Sequence, residues 1–200
     1  MGLDMYLMKI KKNKILEGKT IAAIAHELYA KNEDNKELFE VFEKMGSTYK
    51  YTRWDFKGEE VYLNKEVAYW RKANQIHKWV YDHCAEKGQE DYENIRVEKE
   101  QIIELLETCK QVLKDLETCP KITKQIETGW CNGEPTYKDI VCFDSKVARE
   151  LLPTQSGFFF GSTQYDEWYK EDLENTVEQL TRVLEETDFE NEELWYYASY

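Results

Sequence analysis

Residues 98–117, EKEQIIELLETCKQVLKDLE, carry apolar side chains at every third or fourth position, with charged residues between them. This spacing places the apolar residues along one face of an α-helix. Pro120 follows closely and prevents the helix from continuing. Because a helix with one apolar face must bury that face against another layer, the chain is predicted to fold around a packed core.

Alternating apolar and polar residues predict a strand over residues 3–10. Helical spacing predicts two short helices within 21–45. Residues 47–64 fit a hairpin whose turn lies at Lys57-Gly58. The pattern of residues 121–141 leaves loop and strand open as alternatives.

Three further helices are predicted, at about 66–87, from Ser145 to Leu152, and at about 164–186. Residues 193–200, ELWYYASY, fit a final strand. These patterns predict one domain over residues 1–200, with an α+β fold of three to four long helices packed on a small, mostly antiparallel sheet.

Composition argues against several classes of function. The net charge of −13 opposes binding to duplex nucleic acid, which depends on clustered Lys and Arg. Five widely spaced cysteines without a C-x-x-C pair predict reduced thiols and no metal site. Neither a membrane span nor a secretory signal is recognisable, so we expect a cytoplasmic protein.

If residues 66–87 form one helix, Trp70, Asn74, His77 and Tyr81 lie along a stripe beside a core stripe that includes Tyr69. An aromatic ring, an amide and an imidazole in a row suit a planar polar ligand such as a nucleobase. Arg71 and Lys78 lie farther round the helix, where they could reach a phosphate. The same spacing also fits residues at the boundary between core and solvent.

Residues 155–170, QSGFFFGSTQYDEWYK, form the second candidate segment. Thr163 followed by Asp166 matches a helix-capping pattern, which would leave Gly161, Ser162 and Thr163 at a helix N-terminus that favours an anion. The alternative is that the glycines only permit tight turns while the phenylalanines belong to the core. The sequence G-S-T lacks the lysine of a P-loop, and no catalytic motif is present.

Four segments, MGLDMYL, EVAYWRKANQIHKW, LLPTQSGFFFGSTQYDEWYKEDL and WYYASY, resemble a family of small proteins encoded in bacteriophage and prophage genomes. The resemblance implies a phage accessory protein in the host cytoplasm and a role against host defence. It implies no catalytic activity or cofactor.

The leading hypothesis is therefore a protein that sequesters a nucleotide-derived immune signal without catalysis. The residues predicted to line its site are Tyr69, Trp70, Arg71, Asn74, His77, Lys78, Ser156, Gly157, Phe158, Phe160, Gly161, Ser162, Thr163, Tyr165 and Trp168. One alternative is an acidic, DNA-mimicking inhibitor of a host protein. Another is a nucleotide-processing enzyme that uses His77 or Tyr165 as acid or base. Self-association stays open.

Overall fold

The computed structural model describes residues 2–11, 55–56, 59–60, 65–89 and 94–200. In these ranges the strands are β1 (Asp4–Lys11), β2 (Asp55–Phe56), β3 (Glu59–Glu60), β4 (Lys65–Arg71), β5 (Ile95–Val97), β6 (Lys121–Cys131), β7 (Glu134–Phe143) and β8 (Glu192–Ser199). The helices are α1 (Asn74–Cys84), α2 (Lys99–Leu116), α3 (Lys146–Leu151) and α4 (Glu167–Glu186).

The main sheet is antiparallel and has the strand order β4-β1-β8-β5. In β1, Met5 and Leu7 are buried whereas Tyr6 between them faces the other way, as the two-residue period of a strand requires. Met5 lies between Trp70 of β4 and Ala198 of β8. One face of the sheet is therefore apolar across three adjacent strands.

The helices cover that apolar face. Buried residues of β1, β4 and β8 form one hydrophobic cluster with those of α1, α2 and α4. The α2 side chains predicted to form the apolar face are buried at Ile102, Leu105, Leu106, Cys109, Val112 and Leu116. Burying each large aliphatic side chain contributes about 1.5–3 kcal/mol to stability. The α+β fold with a small antiparallel sheet is thus confirmed.

Several predicted elements are confirmed within a residue or two. They are the first and last strands, the helix at 98–117, and the short helix after Ser145, whose hydroxyl accepts a hydrogen bond from the Ala148 N–H at 2.8 Å. β2 and β3 pair on either side of residues 57–58, as the predicted hairpin requires. The two helices predicted within 21–45 lie outside the described residues.

The prediction of a single helix over 66–87 is wrong. Residues 65–71 form the strand β4, which pairs with β1, and the helix begins only at Asn74. Lys72 adopts a left-handed backbone with φ 62°, and Ala73 forms an inverse γ-turn in which the Asn74 N–H donates to the Lys72 carbonyl at 2.8 Å. Ala68 and Trp70 are buried whereas Tyr69 between them is exposed. This alternation of buried and exposed residues is that of a strand, although the same residues also fit helical spacing.

The prediction of Thr163 as a helix cap is also wrong. Helix α4 begins at Glu167, and its cap is Asp166, whose side chain accepts a hydrogen bond from the Tyr169 N–H. Phe158–Phe160 form a tight connection. Residues 121–141, where loop and strand were both open, lie in the long hairpin β6–β7. No described helix is both long and apolar enough to cross a membrane.

Candidate functional site

Segments far apart in the sequence meet at one end of the main sheet. The Leu3 N–H donates to the Phe159 carbonyl at 3.0 Å, and the Lys72 N–H donates to the Leu3 carbonyl at 2.7 Å. The Tyr200 ring contacts both Phe160 and His77. The four segments that carry the resemblance therefore pack together here, although they are separated by up to two hundred residues.

Asn74 ties the 155–162 loop to the start of α1. Its side-chain amide donates to the carbonyls of Phe160 and Ser162 at 3.0 and 2.9 Å, and its oxygen accepts from the Gln155 N–H at 2.8 Å. The side chain is buried. Because both ends of the amide are used within the protein, Asn74 shapes the loop and does not face a ligand.

Two other residues of the predicted stripe are also buried. The Trp70 indole N–H donates to the Thr176 hydroxyl at 2.9 Å, which joins β4 to α4. His77 Nδ1 lies 2.8 Å from the Tyr196 hydroxyl, and the edge of its ring meets Phe160. Since Trp70 belongs to a strand and His77 to a helix, the single helical stripe that would present them together does not form.

The open face of the sheet presents a row of tyrosines instead. Tyr69, Tyr6 and Tyr197 lie side by side on β4, β1 and β8. The ring centroids are 5.2 Å apart for Tyr6 and Tyr69 and 6.1 Å apart for Tyr6 and Tyr197. Tyr69 and Tyr197 are exposed, by 37% and 39%, whereas Tyr6 between them is half-buried. A row of aromatic rings on an open sheet can stack against a planar group.

Asp4 contacts both Tyr69 of this row and the side chain of Arg71. The Tyr69 hydroxyl donates to Asp4 Oδ1 at 2.5 Å, and Arg71 Nε lies 3.8 Å from the same oxygen. The hydrogen bond to Asp4 is the main reason that the pKa of Tyr69 is raised to about 12. Burial, followed by the charge of Asp4, raises the pKa of Tyr6. Both phenols are therefore protonated hydrogen-bond donors at neutral pH.

Lys72 follows Arg71 and lies against two glycines. A Cβ at Gly2 would stand 3.1 Å from Lys72 Cε, and a Cβ at Gly161 would stand 3.1 Å from Lys72 Cβ. Gly161 also has a φ of 86°, which disfavours any other residue. No carboxylate of the described residues lies within ion-pair distance of the Lys72 ammonium. The glycines thus let a cationic side chain lie close to the backbone beside Arg71.

The 156–163 loop borders the same cations. Ser156, Gly157, Gly161 and Ser162 are exposed, whereas Phe160 is buried. Phe158 is 95% exposed and lies in the turn closed by the Phe160 N–H to Gly157 carbonyl bond.

Ser162 and Thr163 precede the α4 cap by three or more residues, so the anion site predicted at the N-terminus of that helix does not form. The Ser162 hydroxyl accepts a hydrogen bond from the Gln164 N–H at 3.1 Å. The Thr163 carbonyl accepts one from the Thr154 hydroxyl. These contacts stabilise the loop ahead of the helix.

The remaining predicted residues have separate roles. Lys78 pairs with Asp82 on α1 at 2.6 Å. The Tyr165 hydroxyl accepts a hydrogen bond from the Thr154 N–H at 3.3 Å, and its ring packs beside Tyr169. Trp168 is exposed on the first turn of α4. The structure records no contact between these three residues and the tyrosine row.

Five residues of the site were not predicted: Gly2, Asp4, Tyr6, Lys72 and Tyr197. The signal for Tyr6 is present in the sequence, because a strand over 3–10 that buries Met5 and Leu7 must expose the residue between them. Lys72 could not be found in this way, since its position depends on contacts with Gly2 and Gly161, which lie far away in the sequence.

Within the described part of the chain, no group of three or more His, Cys, Asp or Glu side chains is placed to hold a metal ion. The five cysteines are free thiols. The chain matches no protein-family model, no curated protein and no solved structure.

Proposed function

We propose that the protein binds and sequesters a planar, anionic small molecule of the nucleotide type. The observation that carries this proposal is the adjacency of the partly exposed tyrosine row to Arg71 and Lys72 in a chain whose net charge is −13. In so acidic a protein, two neighbouring cations beside flat aromatic rings match the charge and the shape of a base joined to a phosphate.

Each part of the site has a distinct role in this proposal. Tyr6 and Tyr69 stack against the planar group, and the Tyr69 hydroxyl is oriented by Asp4. Arg71 and Lys72 bind the phosphate. The exposed Gly161–Ser162 segment adds a hydroxyl donor beside Lys72, because the Ser162 oxygen accepts from Gln164 while its own O–H stays available.

Binding without turnover is supported by the protonation of the site. The raised pKa values of Tyr6 and Tyr69 disfavour either phenolate as a general base at neutral pH. His77, the imidazole considered for acid–base chemistry, is buried with Nδ1 against the Tyr196 hydroxyl. The resemblance to phage proteins supports the biological role, which is removal of a nucleotide-derived signal of a host immune system.

Isothermal titration of the folded protein against cyclic dinucleotides, cyclic ADP-ribose and ADP-ribose tests the proposal. We expect at least one of them to bind and to be released intact on denaturation, as judged by mass spectrometry. The double variant Arg71→Gln/Lys72→Gln keeps both side-chain stems and removes both charges. Its affinity should fall by about tenfold or more, because hydrogen bonds to charged groups contribute about 1.5–3 kcal/mol each.

The matched control is Lys110→Gln/Lys146→Gln, which removes two positive charges from exposed positions on α2 and α3. It should bind like the unmodified protein. The proposal fails if no ligand of the panel binds, or if the control loses as much affinity as the site variant. Conversion of a bound ligand would exclude simple sequestration.

A further inference from the structure

A carboxylate lies within the cationic part of the candidate site. Asp4 is on the open face of β1, where its Oδ1 atom accepts from the Tyr69 hydroxyl and lies 3.8 Å from Arg71 Nε. A negative charge at this position weakens the attraction of Arg71 and Lys72 for a phosphate. If the ligand consisted only of a planar group and a phosphate, Asp4 would lower its affinity. We therefore expect the ligand to carry a third group that binds Asp4.

The second carboxylate oxygen of Asp4 is available for such a group. Oδ1 makes both of the contacts with Tyr69 and Arg71, and none of the hydrogen bonds and ion pairs among the described residues involves Oδ2. The Asp4 side chain is 29% exposed, so a ligand can reach it. Because a carboxylate accepts hydrogen bonds and does not donate them, the group that suits Oδ2 is a donor.

Asp4 lies midway between the aromatic and the cationic parts of the site. Alternate residues of an extended chain share one face, so Tyr6, Asp4 and Gly2 follow one another at intervals of about 6.7 Å. A Cβ at Gly2 would stand 3.1 Å from Lys72 Cε and 3.8 Å from Arg71 Nε, so the cationic side chains lie at the Gly2 end of this line. Tyr6, at the other end, belongs to the tyrosine row.

We propose that Asp4 accepts a hydrogen bond from the 2′-hydroxyl of a ribose, and that the ligand of the site is a ribonucleotide. This role of Asp4 depends on the proposed function, because it requires that a nucleotide occupies the site. The ribose of a nucleotide joins the base to the phosphate, and Asp4 lies between the tyrosine row and Lys72 in the same order. Acidic side chains elsewhere bind ribose by accepting from its 2′-hydroxyl.

The same carboxylate disfavours two other kinds of nucleotide. A deoxyribonucleotide lacks the hydroxyl and leaves Asp4 Oδ2 without a partner beneath the ligand. A phosphate on the 2′-oxygen would place a second negative charge against Asp4. Since Arg71 and Lys72 attract the phosphates of all these ligands, the preference for a free 2′-hydroxyl comes from Asp4.

Isothermal titration of the full chain with matched pairs of nucleotides tests the proposal. Cyclic di-AMP, cyclic di-GMP, cyclic ADP-ribose and ADP-ribose are each compared with the analogue that lacks the 2′-hydroxyl on its nucleoside ribose. For every ribonucleotide that binds, we expect the 2′-deoxy analogue to bind about tenfold or more weakly, because hydrogen bonds to a charged acceptor are stronger than those between neutral groups.

Asp4→Asn separates binding of the ribose from support of Tyr69. Asparagine keeps the shape of the side chain and an oxygen that accepts from the Tyr69 hydroxyl, but it removes the charge. The preference for the ribonucleotide should fall to about threefold or less. The 2′-deoxy analogue should bind at least as tightly as before, because the negative charge beside the phosphate is gone. Asp82→Asn is the matched control, since it removes a carboxylate that pairs with Lys78 on α1, and it should leave the preference unchanged.

Three results would contradict these expectations in different ways. Equal affinity for a ribonucleotide and its 2′-deoxy analogue would overturn the role of Asp4 and leave the proposed function intact. A loss of affinity by the same factor for both members of a pair in Asp4→Asn would also overturn it, because Asp4 would then act only by orienting Tyr69. If no nucleotide of the panel binds to the folded protein, the proposed function itself fails, and the role of Asp4 fails with it.

Discussion

The end of the main sheet and the arm formed by the hairpin β6–β7 show opposite relations between residue type and environment. At the sheet end, polar side chains such as Asn74 and His77 are buried and bonded within the protein. On the arm, aromatic side chains such as Trp130 and Tyr137 are exposed.

This difference separates residues that build the fold from residues available for binding. Buried polar groups carry a high energetic cost unless they are fully bonded, so Asn74 and His77 specify how remote segments pack. Exposed aromatic rings gain nothing from the fold and are free to contact another molecule. The tyrosine row beside Arg71 is intermediate between the two. Tyr69 is hydrogen-bonded within the protein to Asp4, yet its ring is partly exposed to solvent.

Asn74→Ala tests the structural role of the sheet end and should have the largest effect. It leaves the Gln155 N–H and the carbonyls of Phe160 and Ser162 without their partner. At about 1–3 kcal/mol for each unsatisfied buried group, partly offset by water, the free energy of unfolding should fall by about 3 kcal/mol. Chemical denaturation measures it.

Ser162→Ala is the control for that variant, because it removes an exposed hydroxyl from the same loop and leaves the carbonyl that Asn74 binds. It should cost well under 1 kcal/mol. A loss below about 1 kcal/mol for Asn74→Ala would mean that the loop is held by other contacts, and the comparison between the two regions would lose its basis.

Asp172→Asn should have the next largest effect, in the stabilising direction. Burial raises the pKa of Asp172 to about 6, although Gln75 Nε2 donates to it at 3.0 Å. A carboxyl whose folded pKa lies above its unfolded value contributes stability below about pH 4, and this is lost as pH rises through about 6. Asn cannot ionise and still accepts from Gln75, so at pH 7 it should add about 2 kcal/mol to the free energy of unfolding.

The gain from Asp172→Asn should vanish near pH 4, where the native carboxyl is protonated as well. Glu171→Gln, a change at the exposed neighbouring position, should show no such pH-dependent difference. Thermal unfolding of the three proteins between pH 4 and 7 measures it. An equal gain at both pH values would mean that folding does not raise the pKa of Asp172.

The sequence predicted well those elements whose pattern is local. Helix α2 has an uninterrupted apolar face and a reciprocal cap formed by Glu98 and Gln101, so its bounds were found to within one residue. The N-terminal and C-terminal strands alternate clearly. By contrast, residues 65–71 satisfy both helical spacing and alternation, and pairing with β1 decided between them. The pattern of residues 65–71 alone does not reveal this pairing, because β1 lies far away in the sequence.

The site was predicted less completely than the fold, for the same reason. Assigning Tyr69 and Trp70 to a helix placed them on adjacent stripes, whereas a strand sends them to opposite faces. Trp70 therefore packs against Thr176 in the core, and Tyr69 joins Tyr6 on the open face. The Gly161–Ser162 segment lies against Lys72, the residue after Arg71, and the helix N-terminus expected at this segment lies at Asp166 instead.

The smallest effect is expected for Trp130→Ser. Trp130 is exposed on the arm whereas Trp70 is buried at the main sheet, so substitutions of these two tryptophans compare the two regions directly. Trp130 is largely exposed, so its loss should change the free energy of unfolding of the protein by about 0.5 kcal/mol or less. Trp70→Phe keeps an aromatic ring but deprives the Thr176 hydroxyl of its indole donor, which should cost about 1 kcal/mol or more. Denaturant unfolding measures the free energy change for both variants. If Trp130→Ser proved as costly as Trp70→Phe, the arm would be part of the folding core, and its exposed aromatic residues would not be separable from the fold.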